Sequence, residues 1–176
     1  STGPDGKDFR ESAGTFSQYS EEEALKYWNK AKSELGKDNL KIELLFDDSD
    51  TVKKMAEFIQ SNLETNLPGL KVNLKSQPKK NRLALMKDGN YEVGLTRWGP
   101  DYADPLAYLD LFVTGVTNNY PNHSNTDYDN IITETSKGDL AGKPQERWDA
   151  MINAEKVLLD DDAGVTPLYQ RGYSFL

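Results

Sequence analysis

Apolar residues recur at helical spacing from Ala24 through Trp28 and Ala31 to Leu35. Ser20 and Glu23 stand ahead of them as a capping box and Gly36 follows as a stop, so the pattern predicts a helix opening at Ser20. Leu40 to Phe46, rich in Leu and Ile, reads as a strand. Asp50 or Thr51 then opens a helix with Val52, Met55, Ile59 and Leu63 on one face. Pro68-Gly69 is a turn before a strand over Leu70 to Leu74, and Arg82 to Lys87 is a short helix ended by Asp88-Gly89. Tyr91, Val93 and Leu95 alternate with Glu92, Gly94 and Thr96, which predicts a third strand. Strands alternating with helices imply right-handed crossovers and an α/β fold, its mixed, mainly parallel sheet flanked by helices. Lys71, Asn73 and Lys75 alternate with Leu70, Val72 and Leu74, which puts that strand at an edge or leaves it half covered.

The second half reads as helical: Asp104 to Phe112, then Asp127 to Ser136 with Tyr128, Ile131 and Ile132 inward. Pro144 to Leu159 follows, burying Trp148, Met151, Ile152, Val157 and Leu158. Ala163 to Tyr169 reads as a strand that Pro167 restricts to few partners. The expected core includes Trp28, Ile42, Leu44, Ile59, Val72, Val93, Trp148 and Ile152. The 176 residues are the size of one domain, with Ser1 to Gln18 linker-like.

Composition narrows the function. The formal charge of −8 argues against a nucleic-acid partner, which would call for a basic face. No apolar run approaches the roughly 20 residues of a membrane helix, and Ser1 to Gly14 has no apolar core of a secretion signal. The absence of cysteine removes disulfides, thiolate metal sites and Cys nucleophiles. His123, alone in the polar loop Tyr120 to Asn125, reads as a solvated residue, with neither metal nor cofactor expected. Asp160-Asp161-Asp162 lacks the spacing of a calcium loop and reads as a solvated helix end. Asp47, Asp48 and Asp50 are explained by capping, and Lys75, Lys79, Lys80 and Arg82 by a solvated loop.

The candidate chemistry lies in Thr96-Arg97-Trp98-Gly99-Pro100-Asp101-Tyr102-Ala103-Asp104-Pro105. This segment joins the third strand to a helix that Asp104 caps and Pro105 begins. Ligands of open α/β sheets bind beyond the carboxyl ends of strands. There Trp98 offers a flat apolar surface beside the Asp101 anion, a pairing suited to an amine with a side chain attached. The competing reading has Trp98 plugging the core and Asp101 making a turn. A hydrolase would need two working carboxylates, and capping takes Asp104 away from Asp101. A plain structural domain would show no crevice carrying Trp98 and Asp101.

The stretch YEVGLTRWGPDYADPLAYLDLF, Tyr91 to Phe112, resembles the extracytoplasmic solute-binding proteins that serve oligopeptide ABC transporters. GPDGKDFRESAG, YSEEEALKYWNKAKSELG, KIELLFDD, LPGLKVNLK and RWDAMINAEKVLLDDDAGVTPLYQ follow in the family's order. The resemblance implies a monomeric, non-enzymatic protein outside the cytoplasm, periplasmic or a cell-surface lipoprotein. It would hold an extended peptide between two lobes and deliver it to membrane permease subunits. Arg97, Trp98 and Gly99 match the segment running alongside the peptide backbone, and Asp101 the aspartate receiving the α-ammonium group. Arg97 is left open between a carboxylate partner and an ion-pair partner of Asp101. Dipeptides, nickel and sugars are the alternative solutes. Val165 to Leu176 ends extended and apolar with Tyr169, Tyr173, Phe175 and Leu176, so the chain is expected to be an excised second lobe.

Overall fold

The computed structural model describes residues 1–170 and Gly172. In chain order the elements are α1 (Phe9–Ala13), α2 (Glu21–Leu35), β1 (Leu40–Asp47), α3 (Asp50–Asn66), β2 (Leu70–Gln77), α4 (Lys79–Lys87) and β3 (Val93–Gly94). Then come α5 (Leu106–Leu109) with a 3-10 turn at Asp110–Phe112, α6 (Thr126–Ser136) and α7 (Pro144–Lys156). The chain divides into two compact units, Tyr19–Gly99 and a second made of Ser1–Gln18 with Pro100–Leu176.

Tyr19–Gly99 is an α/β unit built on a parallel sheet ordered β2-β1-β3. Parallel neighbours need crossovers, which α3 and α4 supply. The first crossover steps to one side of β1 and the second returns to the other, so right-handed connections put the two helices on opposite faces. Leu44, Phe46, Leu70 and Val72 pack with Val52 and Ala56 of α3 on the first face, with Ile42, Ile59 and Leu63 half-buried around them. Leu45 and Asp47 point the other way, where Asp47 meets Arg82 of α4.

Helix α4 covers only the carboxyl half of that second face. The amino half carries Lys41, Glu43, Asn73 and Lys75, which with Asn90 and Glu92 line a shallow polar depression. Both physical causes of the polar alternation in β2 are present: the strand is at an edge and one face is open. The free edge is closed at Val72. Its N–H donates to Glu64 Oε1 at 2.9 Å, and its carbonyl accepts from Gln60 Nε2 at 2.6 Å, both side chains reaching down from α3. The Val72 N–H, and after it Lys71, hold the Glu64 carboxyl below its ordinary range.

Several expectations are corrected here. In α2, Trp28 packs against the sheet core and Ala31 is half-buried, while Ala24 and Leu35 are exposed. Trp28 is fixed by donating Nε1–H to the Pro68 carbonyl at 2.9 Å. Ser20 caps Glu23 N–H, while the Glu23 carboxylate turns to Lys26 instead of closing the box. Ladder pairing in β3 is confined to Val93–Gly94, and Val93 is 41% exposed rather than core, because no further strand covers its outer side among the described residues.

The second unit is helical. Leu106, Leu109, Tyr128, Ile132, Trp148, Met151, Ala154 and Leu158 form its core. Ile152 and Val157 are half-buried at the margin. Asn125 caps α6 through the N–H groups of Asp127 and Tyr128. The Tyr128 hydroxyl, deep in the core, donates to the Leu109 carbonyl at 2.5 Å. The N-terminal stretch is structured by a full capping box at Asp8 and Glu11 on α1. Phe9 meets Trp148 edge-on at 5.1 Å, and Arg10 pairs with Glu155. Helix α7 widens into a π-helical turn at Val157–Asp161.

Residues 163–170 form no strand: the described residues of this unit include no sheet for them to join, and Pro167 lacks an N–H. Val165 instead packs against the helical core. Tyr173, Phe175 and Leu176 lie outside the described residues.

Candidate functional site

The strand order reverses direction between β1 and β3, and the crevice beyond their carboxyl ends is the ligand position such a sheet favours. The residues delivered there are Asp47 from β1 and Thr96, Arg97, Trp98 and Gly99 following β3. Trp98 is 43% exposed, so it is no core plug. Gly99 is exposed, and a Cβ there would meet nothing within 4 Å. Arg97 is paired: its guanidinium reaches Asp47 Oδ2 at 3.3 Å.

Asp47 is the centre of a cluster that sequence reasoning misplaced. The residue caps nothing, as α3 starts after Ser49. Its Oδ1 accepts from Arg82 Nε at 2.7 Å, and Arg82 is only 3% exposed, far from the solvated loop expected of it. Arg82 also donates to Thr96 Oγ1 at 2.9 Å and lies 3.0 Å from Met86 Sδ. Burying a guanidinium is costly unless its donors are met, and here acceptors on three elements meet them. The sequence signal was present: an aspartate closing an apolar strand, and an arginine four residues before Met86 on the inward face of α4.

Asp101 is exposed and opens the helical unit beside Tyr102. The Tyr102 hydroxyl is pushed above its ordinary range, first by burial and then by the Asp110 and Asp104 carboxylates, with Asp101 adding to them. Burial raises Asp110 as well. Asp104 accepts the Leu106 N–H at 2.9 Å, as its helix-starting role requires. It also takes a two-pronged bond from Arg147 at 2.9 and 3.1 Å, a partner the sequence did not reveal. Asp104 is thus committed to structure, and no such commitment of Asp101 is seen among the described residues.

His123 is buried, not solvated. Nδ1 lies 2.9 Å from the Phe112 carbonyl, Nε2 lies 2.8 Å from Asp162 Oδ2, and the ring meets Tyr128 edge-on at 5.0 Å. Asn119 completes the loop by donating to the His123 carbonyl. Asp162 is therefore a tether, while Lys156 holds Asp160 and Asp161. The Asp162 carboxyl sits below its ordinary 3.8, first through the hydrogen bond to His123 and then through Asn125. A depressed folded value means the stabilisation is complete above that range and is lost as pH falls through the folded value. Asp162→Asn is expected to lower the urea midpoint at neutral pH, by a gap that narrows at acid pH as the folded carboxyl becomes protonated. Parallel urea titrations at the two pH values check this; an equal gap at both refutes the charged tether.

Residues 2–120 match the model of the bacterial extracellular solute-binding proteins, family 5, middle. The dipeptide-binding protein of Lactococcus lactis subsp. cremoris is 38% identical over 128 residues, covering 72% of this chain and 23% of that protein. Among solved structures, the substrate-binding domain of an oligopeptide ABC transporter from Bacillus anthracis matches with a TM-score of 0.91 and 40% identity, covering 97% of this chain and 33% of that one. Listeria monocytogenes OppA bound to peptide matches with a TM-score of 0.87 and 40% identity, covering 97% and 32%. The chain thus spans a quarter to a third of the length of these relatives, which are named for binding or transport rather than for catalysis. The chain belongs to the family of bacterial extracellular solute-binding proteins, family 5.

Proposed function

We propose that the chain is one part of a bilobal peptide-binding protein that works outside the cytoplasmic membrane. As a monomer, periplasmic or lipid-anchored at the cell surface, it feeds an ABC importer. The peptide lies extended against the backbone of Arg97, Trp98 and Gly99, and Asp101 receives its α-ammonium group. Backbone pairing is indifferent to side chains, so one ion pair can fix the register of peptides with different sequences. The observation that carries this reading is the sequence and structural match to a relative described as bound to peptide. The exposure of Trp98 and of Asp101 agrees with it. A dipeptide is the second reading, favoured by the names of two relatives.

Calorimetric titration of the complete protein with unmodified peptides of two to five residues tests both. Tight binding of longer peptides supports the first reading, a sharp preference for two residues supports the second, and no binding to any refutes both. The chain alone is expected to bind the same peptides feebly, because the other lobe supplies half the contacts and excludes water from the ion pair. Tight binding by residues 1–176 alone would contradict the two-lobe clamp.

A further inference from the structure

Ladder pairing in β3 ends at Gly94, with one further bond from Leu95 N–H to the Leu45 carbonyl at 2.8 Å. Residues 96–99 therefore lie past the last rung that β3 shares with β1. Side chains reach two of them. Thr96 accepts from Arg82 at 2.9 Å, and Arg97 reaches Asp47 at 3.3 Å. Asp47 has one oxygen on Arg82 and the other on Arg97. The buried Asp47–Arg82 pair alone would suffice to fasten α4 to β1. Two more bonds run from that pair to consecutive residues of the segment: Thr96 meets a buried Arg82 donor, and Arg97 adds a bond that core fastening does not need.

We infer that Asp47 and Arg82 are positioning residues for ligand: they hold Thr96 and Arg97 so that the backbone of residues 97–99 is fixed before the peptide arrives. The inference rests on the reading that residues 97–99 run alongside the peptide. A segment held in place in the free protein does not have to be ordered on binding, and that saving appears as affinity. Arg82 is well placed for the task because α4 is the crossover that delivers the chain to β3. The geometry of the segment and the packing of the crossover are set by one side chain.

The test uses the complete protein and two variants. Thr96→Val removes the hydroxyl at nearly constant volume and leaves the buried pair whole. Asp47→Asn combined with Arg82→Met removes both buried charges together, so neither is stranded. Amide exchange at residues 95–99 is read without ligand, and affinity is read by calorimetry with an unmodified tetra-alanine peptide. Both variants are expected to exchange about five- to tenfold faster at these amides and to bind about five- to tenfold more weakly. Thr96→Val leaves one buried Arg82 donor unmet, so a small fall in melting temperature is expected; faster exchange confined to residues 95–99, with β1 unchanged, separates positioning from stability. Unchanged exchange at residues 95–99 in both variants overturns the inference. Faster exchange with unchanged affinity overturns its link to ligand. A wild type that binds no peptide refutes the functional reading instead, while the exchange result still decides the anchoring.

Discussion

Replacing Asp101 by asparagine in the complete protein is expected to weaken peptide binding by roughly 150- to 4,000-fold. Removing one member of a desolvated charge pair costs roughly 3–5 kcal/mol, because the other charge is left without a partner. N-acetylation of the peptide should weaken the wild type by a similar factor. The two changes remove the same contact, so their combined loss should fall well short of the sum. Calorimetry on the four combinations measures this coupling directly. If acetylated and free peptides bind the wild type equally, the ammonium anchor is not Asp101.

The second large effect is structural. Gly69 has φ +88°, and a Cβ there would sit 2.3 Å from the Asp38 carbonyl oxygen. Its own carbonyl accepts the Leu40 N–H at 2.9 Å, the first bond joining the ends of β1 and β2. Gly69→Ala must either strain the turn or push the Asp38 backbone away, at a cost on the order of 3 kcal/mol. Gly36→Ala offers the matched control. That residue also has positive φ, but its Cβ would meet open space, so only about 1 kcal/mol is expected. Chemical denaturation of both variants checks the difference; equal losses would mean that Gly69 is required for its backbone angle alone.

The elements most legible in the sequence were those whose own pattern settles them. Leu40 to Asp47, the α3 face and the core of α7 all combine a clear period with clear ends. Reading failed where a partner far along the chain decides the outcome. Leu35 has the helical spacing of a core residue, yet α2 rests on the sheet only through the middle of its stripe. Val93 alternates like a buried strand residue, but alternation says which face a side chain takes and not whether anything covers it. Asp47 looked like a cap because it precedes a helix; the deciding partner is Arg82, 35 residues on. His123 looked solvated because its neighbours in sequence are polar, whereas Asp162 and Phe112 enclose it from other segments. The candidate segment from Arg97 to Asp101 stood out by residue type, but the buried support behind Thr96 and Arg97 did not.

The bonds that Gln60 and Glu64 make to Val72 have a consequence for self-association. An exposed strand edge is a template for pairing with another molecule, and fibres need two such edges per copy to propagate. In this sheet the middle of β2 is occupied by its own helix, so a second copy could not pair along β2 through Val72 without displacing Gln60 and Glu64. Gln60→Ala with Glu64→Ala would free those backbone groups and is expected to favour strand pairing between copies.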